Sequence, residues 1–246
     1  MDNEHRPTVA VIGGGQLARM MQESAIALGI ALRALVEAPD GSGGQAIVDA
    51  PVGDPRDLAA VLALIEGADV LTFEHEHIPA AVLEACAPLV AIEPPAAALL
   101  HAQDKLAMRE RLTAMGVPCP RWARVETRAD LEAFGAAVGW PLVVKTPRGG
   151  YDGHGVKAVH QARDADPWLG EGPLLAEEMV PFTREVAALL ARRPSGEIRS
   201  WPVASTVQED GVCSAVTAPA VGIRPATADL ARRIGEDIAE RLGVTG

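Results

Sequence analysis

The stretch TVAVIGGGQLARM, residues 8–20, decides the fold. Thr8–Ile12 is a short run of β-forming residues, and it ends in Gly13-Gly14-Gly15. Gln16–Leu28 then reads as a helix, with Gly29 at the left-handed position after it. A strand passing through a glycine turn into a helix is the first half of a βαβ unit. The pattern continues outward. Ile30–Val36 is a second strand. Asp54-Pro55 reads as an N-cap followed by proline at the first helical position, and Gly67 closes that helix. Val70–Phe73 is a third strand, Pro79–Ala87 a short helix and Leu89–Ile92 a fourth strand. Strands alternating with helices at this spacing imply a parallel sheet. Pro94-Pro95 interrupts the alternation, and one helix from about Ala96 to Met115 is expected to connect onward.

After Pro118 the texture changes. Arg121–Val125, Leu142–Lys145, Val156–Val159, Leu174–Glu177, Glu185–Arg192 and Ile198–Val203 read as strands, with a hairpin turn at residues 193–196. One helix, Leu131–Val138, follows the cap residue Thr127. The expected fold is therefore an α/β domain over residues 1–100 followed by an α+β domain over 101–246, the second built on an antiparallel sheet. Near the end, Thr227 reads as the cap of a helix carrying Leu230, Ile234, Ile238 and Leu242 on one stripe. Gly243 ends that helix, and Val244-Thr245-Gly246 begins what reads as another element. An apolar stripe needs a packing partner, so the chain is expected to be a fragment, incomplete at its C-terminus.

The 246 residues are 48% apolar and only 3% aromatic, so alanine, valine and leucine must fill the cores. No apolar run approaches the ~20 residues of a membrane helix, and the N-terminus lacks the order of a signal peptide. Cys86, Cys119 and Cys213 are odd in number and far apart, which suggests a reducing cytoplasm. A net charge of −11 argues against general nucleic-acid or membrane binding. An anionic ligand would have to be held by local cations or backbone N–H groups.

Four stretches carry candidate chemistry. Gly13-x-Gly15-x-x-Ala18 lies between strand and helix, with Glu37 at the end of the next strand. It fits either an anion on a helix N-terminus, a dinucleotide included, or a tight turn needing glycine only for packing. TFEHEHIP, 72–79, follows a parallel strand directly. Its Glu74, His75, Glu76 and His77 suit substrate binding, a metal on the two histidines, or plain solvated charge. LVVK, 142–145, delivers Lys145 from an apolar strand into TPRGGYDGHG, where glycines let N–H groups approach phosphate and Arg148 adds a fork. This stretch also holds the only tyrosine, Tyr151. The alternative there is a flexible hairpin. In LLAEEMVPFTREV, 174–186, backbone groups free at Glu178–Val180 could read a purine edge, and Glu185 could accept from ribose hydroxyls.

GGGQLARM, TFEHEHIP, QDKLAMRERL (103–112), VVKTPRGGYDGHG, AEEMVPFTREV and VQEDGVC (207–213) together resemble one family over essentially the whole chain: N5-carboxyaminoimidazole ribonucleotide synthetase, the ATPase subunit of phosphoribosylaminoimidazole carboxylase, within the ATP-grasp superfamily. The resemblance implies a Rossmann-like pre-ATP-grasp domain followed by a partial ATP-grasp domain. It implies a cytoplasmic ligase of purine (IMP) biosynthesis. ATP phosphorylates bicarbonate to carboxyphosphate, and 5-aminoimidazole ribonucleotide takes up the carboxyl group. Carried over by position, Lys105 and Lys145 contact the nucleotide. Gly150, Tyr151, Asp152, Gly153, His154, Gly155 and Val156 form the loop over its phosphates. Glu177, Glu178, Met179 and Val180 form the adenine hinge, Glu185 holds the ribose and Gln208 is a further nucleotide-side position. Gly15, Gln16, Leu17 and Glu76 line the ribonucleotide side, and Tyr151, Asp152 and His154 act at the reacting groups. The family's Mg²⁺ carboxylates are expected past Gly246, so no metal ligand is assigned within the chain. Lys105 stands where relatives often carry arginine. A homodimer is the expected assembly, with no nucleic-acid or membrane partner. The rival readings are another ATP-grasp carboxylate–amine ligase, a nicotinamide oxidoreductase built on GGGQLA and Glu37, and a non-catalytic nucleotide-binding chain.

Overall fold

The computed structural model describes residues 6–150 and 155–246. They fall into two units, divided between Leu99 and Leu100. In the first, β1 (Thr8–Ile12) runs through the glycine turn into α1 (Gln16–Leu28), which Gly29 ends at φ 69°. Next come β2 (Ala31–Leu35), α2 (Leu58–Ile65), β3 (Val70–Phe73), α3 (Ala80–Cys86) and β4 (Ala91–Ile92). The four strands form one parallel sheet in the order β2-β1-β3-β4. Ala10, Ile12, Leu35 and Leu71 pack on Val61, Leu64, Val82 and Leu83 of the helices. Each of the valine, leucine and isoleucine side chains among them contributes ~1.5–3 kcal/mol on burial. This order places the C-terminal ends of β1 and β3 side by side, and with them residues 13–17 and 74–77.

Ahead of Pro118, two helix boundaries differ from expectation. Asp54 does not cap α2. Its carboxylate is taken by the Arg56 backbone N–H and guanidinium, and Asp57 caps instead, accepting from Ala59 N. The single connector helix is two helices, α4 (Ala96–Gln103) and α5 (Lys105–Ala114). Asp104 sits between them in extended backbone, and its side chain accepts from the N–H groups of Leu106 and Ala107. A carboxylate that caps a new helix competes with continuing the old one.

The second unit carries β5 (Trp122–Val125), α6 (Arg128–Val138), β6 (Leu142–Lys145), β7 (Val156–Val159) and β8 (Leu174–Glu178). A 3₁₀ segment, Ala162–Trp168, follows β7. Thr127 and Asp130 close a reciprocal capping box, which starts α6 three residues before Leu131. The sheet is antiparallel throughout, in the order β5-β8-β6-β7. Val125, Leu131, Leu142, Val144 and Ala176 meet in its core.

The expected strand 185–192 is broken into β9 (Glu185–Ala187) and β10 (Leu190–Arg192). β10 pairs with β11 (Ile198–Ser200) around the expected turn. β9 joins β12 (Ala204–Glu209) and β13 (Val212–Thr217) in a separate three-stranded sheet. The β12–β13 hairpin turns at Asp210-Gly211, both at positive φ. This is a two-residue Asp-Gly hairpin signal that the strand reading passed over. α7 spans Pro225–Arg241 with Pro225 in its first turn, so Thr227 lies inside the helix rather than capping it. Beyond Gly243, Gly246 exchanges both backbone hydrogen bonds with Arg192 at 2.9 Å.

Candidate functional site

In β6, alternation turns Leu142 and Val144 into the core and leaves Val143 and Lys145 on the opposite face. Val143 pairs with Glu177 and Lys145 with Leu175, so Glu177 is the diagonal neighbour of Lys145 on that face. Glu177 is only 3% exposed. One of its oxygens lies 2.5 Å from Lys145 Nζ, and the other contacts the Arg109 guanidinium. Arg109 Nε is buried with no hydrogen-bond partner among the described residues. One buried carboxylate thus stands between two cations, and the surplus is positive within an acidic chain. A buried carboxylate requires such partners, because an unpaired one costs several kcal/mol.

The next layer fixes the entry to the glycine stretch. Asp104 divides its carboxylate. One oxygen caps α5, and the other accepts from Arg148 Nε at 2.9 Å. Burial pushes this carboxyl up, but hydrogen bonds from Ala107, Arg148 and Leu106 outweigh it and hold it below the usual range. Lys105, the first residue of α5, donates its backbone N–H to Pro147 O at 2.9 Å. Thr146 donates its N–H to Gly155 O at 2.9 Å. A Cβ on Gly155 would lie 2.4 Å from Thr146 Oγ1, and its φ of +70° also favours glycine. β6 and β7 are paired from Lys145–Val156 outward. The glycine stretch is therefore a hairpin connection beside Lys145. A cavity of about 530 Å³ lies alongside, lined by Asp104, Thr146, Arg148, Gly155 and Trp168. Tyr151, Asp152, Gly153 and His154 lie outside the described residues.

The segment after β8 departs from the reading of free hinge groups. β5 pairing continues through Glu178, whose N–H donates to Arg121 O at 2.9 Å. Its carboxylate accepts from Arg121 N and Nε, and those bonds hold it below the ordinary carboxylate range. The Val180 carbonyl accepts from Phe182 N. Met179 and Val180 are exposed. Glu185 and Gln208 belong to the other sheet. Glu185 pairs with Thr206, and exposed Gln208 follows on β12 past a register shift.

In the first unit, Glu74 does what the sequence reading gave to a ligand. Its carboxylate accepts from Gly15 N at 2.7 Å and Leu17 N at 3.0 Å. The turn at the start of α1, expected to hold either an anion or only tight packing, is occupied in this structure by the Glu74 carboxylate. Gln16 is exposed, and its Oε1 accepts from the Ser42 hydroxyl at 2.7 Å. Glu76 is near His77 at 3.8 Å. His75 and His77 do not converge on a metal. His75 Nδ1 accepts from His77 N, and no cluster of three or more ligating side chains exists among the described residues. Both histidines, with Glu37, Asp54 and Arg56, line a cavity of about 620 Å³. Arg56 is no free cation there. Its bonds hold the Asp54 carboxyl down at about 2.

Residues 7–103 match the model of the ribonucleotide synthetase preATP-grasp domain, and residues 110–246 match that of the ATP-grasp domain. The chain belongs to the ATP-grasp family. It is 46% identical to the N5-carboxyaminoimidazole ribonucleotide synthase of Mycobacterium bovis, covering 98% of this chain and 57% of that protein. A solved ADP complex of an N5-carboxyaminoimidazole ribonucleotide synthetase superposes with a TM-score of 0.90 at 27% identity, over 100% of this chain and 66% of that one. The Aspergillus clavatus enzyme in complex with ADP and 5-aminoimidazole ribonucleotide gives 0.87 at 31%, over 98% and 64%. The chain thus spans less than two thirds of each. Its fold is the one expected, a pre-ATP-grasp domain followed by an ATP-grasp domain.

Within the ATP-grasp domain, sequence reasoning placed Lys145 and Glu177 but missed Arg109. A helix starting at Lys105 puts Arg109 four residues on, one turn along the same face. That signal was hidden while Ala96–Met115 was read as one helix. In the preATP-grasp domain it missed the role of Glu74, which only the adjacency of β1 and β3 reveals.

Proposed function

We propose that this chain carries the nucleotide-binding and ribonucleotide-binding parts of an enzyme that carboxylates 5-aminoimidazole ribonucleotide. ATP would phosphorylate bicarbonate, releasing ADP, and the substrate amine would take the carboxyl group of carboxyphosphate and release phosphate. The observation that carries this reading is the Arg109–Glu177–Lys145 cluster at the mouth of the glycine hairpin, in a chain with relatives of that activity. Phosphoryl transfer asks a protein mainly for positioning and charge neutralisation. Lys145 supplies the charge for phosphate oxygens, Glu177 holds its ammonium in place, and Lys105 lies where α5 meets the entry to the hairpin. Met179 and Val180 would border the adenine, while Glu185 and Gln208 would face the ribose side. Gly15, Gln16, Leu17 and Glu76 would border the ribonucleotide.

Magnesium accompanying ATP would supply further neutralisation. The described residues offer it no carboxylate set, so no step is assigned to it. The reading extends to a homodimer in a reducing cytoplasm, the latter supported by the free Cys86, Cys119 and Cys213. The test is ADP formation from ATP and Mg²⁺. Formation that requires both bicarbonate and 5-aminoimidazole ribonucleotide supports the reading. ADP release that is indifferent to the ribonucleotide overturns it.

A further inference from the structure

α5 packs against β8, and the residues it buries are Leu106 and Leu112. Arg109 stands midway between them, at helical spacing from each, so a guanidinium occupies a place on the inward stripe that suits an apolar side chain. Its side chain is only 19% exposed. It meets Glu177 Oε1 through one terminal nitrogen, while Lys145 Nζ takes Oε2 at 2.5 Å. A single-point contact of this kind uses the charge of arginine and not its two-pronged fork. Two further carboxylates of these segments are already engaged. Asp104 pairs with Arg148, and Glu178 pairs with Arg121. Those pairs cancel, so Arg109, Glu177 and Lys145 keep one unbalanced positive charge among them.

We propose that Arg109 is a positioning residue for phosphate binding: it shares Glu177 with Lys145, so that the carboxylate orients the lysine without neutralising it. Glu177 facing Lys145 alone would form a closed one-to-one pair, with little attraction left for an anion. With Arg109 on its other oxygen, the carboxylate is held between two cations, and the Lys145 ammonium keeps charge to offer phosphate oxygens. Arg109 acts through Glu177 and not by touching the nucleotide. This rests on the reading of Lys145 as the lysine that meets the phosphates of ATP. It adds the reason why a buried carboxylate beside that lysine does not cancel it. A side chain that served packing alone would affect every ligand of the domain alike. One that sets the charge balance has an effect that grows with the number of phosphates.

The test compares the binding of adenosine, ADP and ATP by calorimetry at fixed ionic strength, with neither bicarbonate nor ribonucleotide present. Arg109→Met keeps a buried stem and removes the charge. Lys145 still satisfies Glu177 in that variant, so the fold should persist. ATP affinity should fall roughly tenfold and ADP affinity by less, while adenosine stays within about twofold. Arg109→Lys keeps the charge and loses only the unused fork, so its ATP affinity should lie within about threefold of the unsubstituted chain. Equal losses for all three ligands, an unchanged ATP affinity in folded Arg109→Met, or failure of Arg109→Lys to retain ATP overturns the proposal and leaves the nucleotide site standing. Absence of ATP binding by the folded unsubstituted chain is a different result, and it removes the reading of Lys145 together with the proposal. Should Arg109→Met fail to fold, Arg109→Gln takes its place with the same expectations, because it can still donate to Glu177 without carrying charge.

Discussion

Two glycine-rich turns leave the ends of two strands in this chain, and opposite charges stand beside them. Residues 13–15 follow β1, and Gly149, Gly150 and Gly155 lie between the paired strands β6 and β7. At the first turn, Glu74 comes from the neighbouring strand end and fills the space with negative charge. At the second, Lys145 stands at the entry with Arg109, and the single carboxylate between them does not balance both. Glycine spacing reports only that a backbone needs close approach. The charge on the adjoining strand decides what can approach.

Removing charge from the second turn should have the largest effects. Glu177→Leu leaves two cations facing each other without their shared counterion, one of them on a half-buried arginine. Loss of one partner from a buried pair costs about 3–5 kcal/mol, so chemical denaturation should show a fall of that order. Restoration of stability in Glu177→Leu/Arg109→Leu would show that the cost is unpaired charge. Lys145→Ala should act on ligand more than on fold, because Arg109 still satisfies Glu177. Hydrogen bonds to charged groups are worth about 1.5–3 kcal/mol, so ATP affinity measured by calorimetry should fall roughly 10- to 150-fold. An unchanged affinity would remove Lys145 from the nucleotide site.

The same contrast explains what could be read from sequence. Alternation in LVVK and glycine after an apolar run are local signals, and they placed β6, Lys145 and the hairpin correctly. The Glu74 contact is not local. It requires β3 to lie beside β1, and nothing in TFEHEHIP distinguishes an inward-turned Glu74 from a solvated one. The break at Asp104 was legible in principle, as an N-cap residue before Lys105. It lost to the longer run of helix-forming residues on either side. Glu178 failed as a free hinge group for the reverse reason: its partner Arg121 lies 57 residues away, across a strand pairing.

A double-mutant cycle sharpens the comparison at the first turn. Gly15→Ala places a methyl 2.5 Å from a carboxylate oxygen, with no backbone strain to confuse the result. Displacing Glu74 should cost roughly 1–3 kcal/mol, the range for a buried acceptor or donor left unmade. In Glu74→Ala the same methyl meets nothing of Glu74, so Gly15→Ala should cost much less there. The coupling energy between the two positions should therefore be large. Additive effects would mean that the glycine is required by something other than Glu74.

The smallest expected effect is at Asp104, where the second turn is tied to α5. Asparagine caps helices about as well as aspartate, so Asp104→Asn keeps the bonds to Leu106 and Ala107 and weakens only the bond to Arg148. The loss at neutral pH should be about 1 kcal/mol, because Arg148 itself is mostly exposed. The sign of the pH dependence follows from the lowered carboxyl. Its stabilisation is full above the ordinary value of 3.8 and is lost as pH falls through the lowered value in the folded chain. The unsubstituted chain should therefore lose stability across that acid range more steeply than Asp104→Asn, and the two denaturation curves should converge at the lowest pH. Parallel curves would show that the charge on Asp104 is not what holds Arg148 at the base of the hairpin.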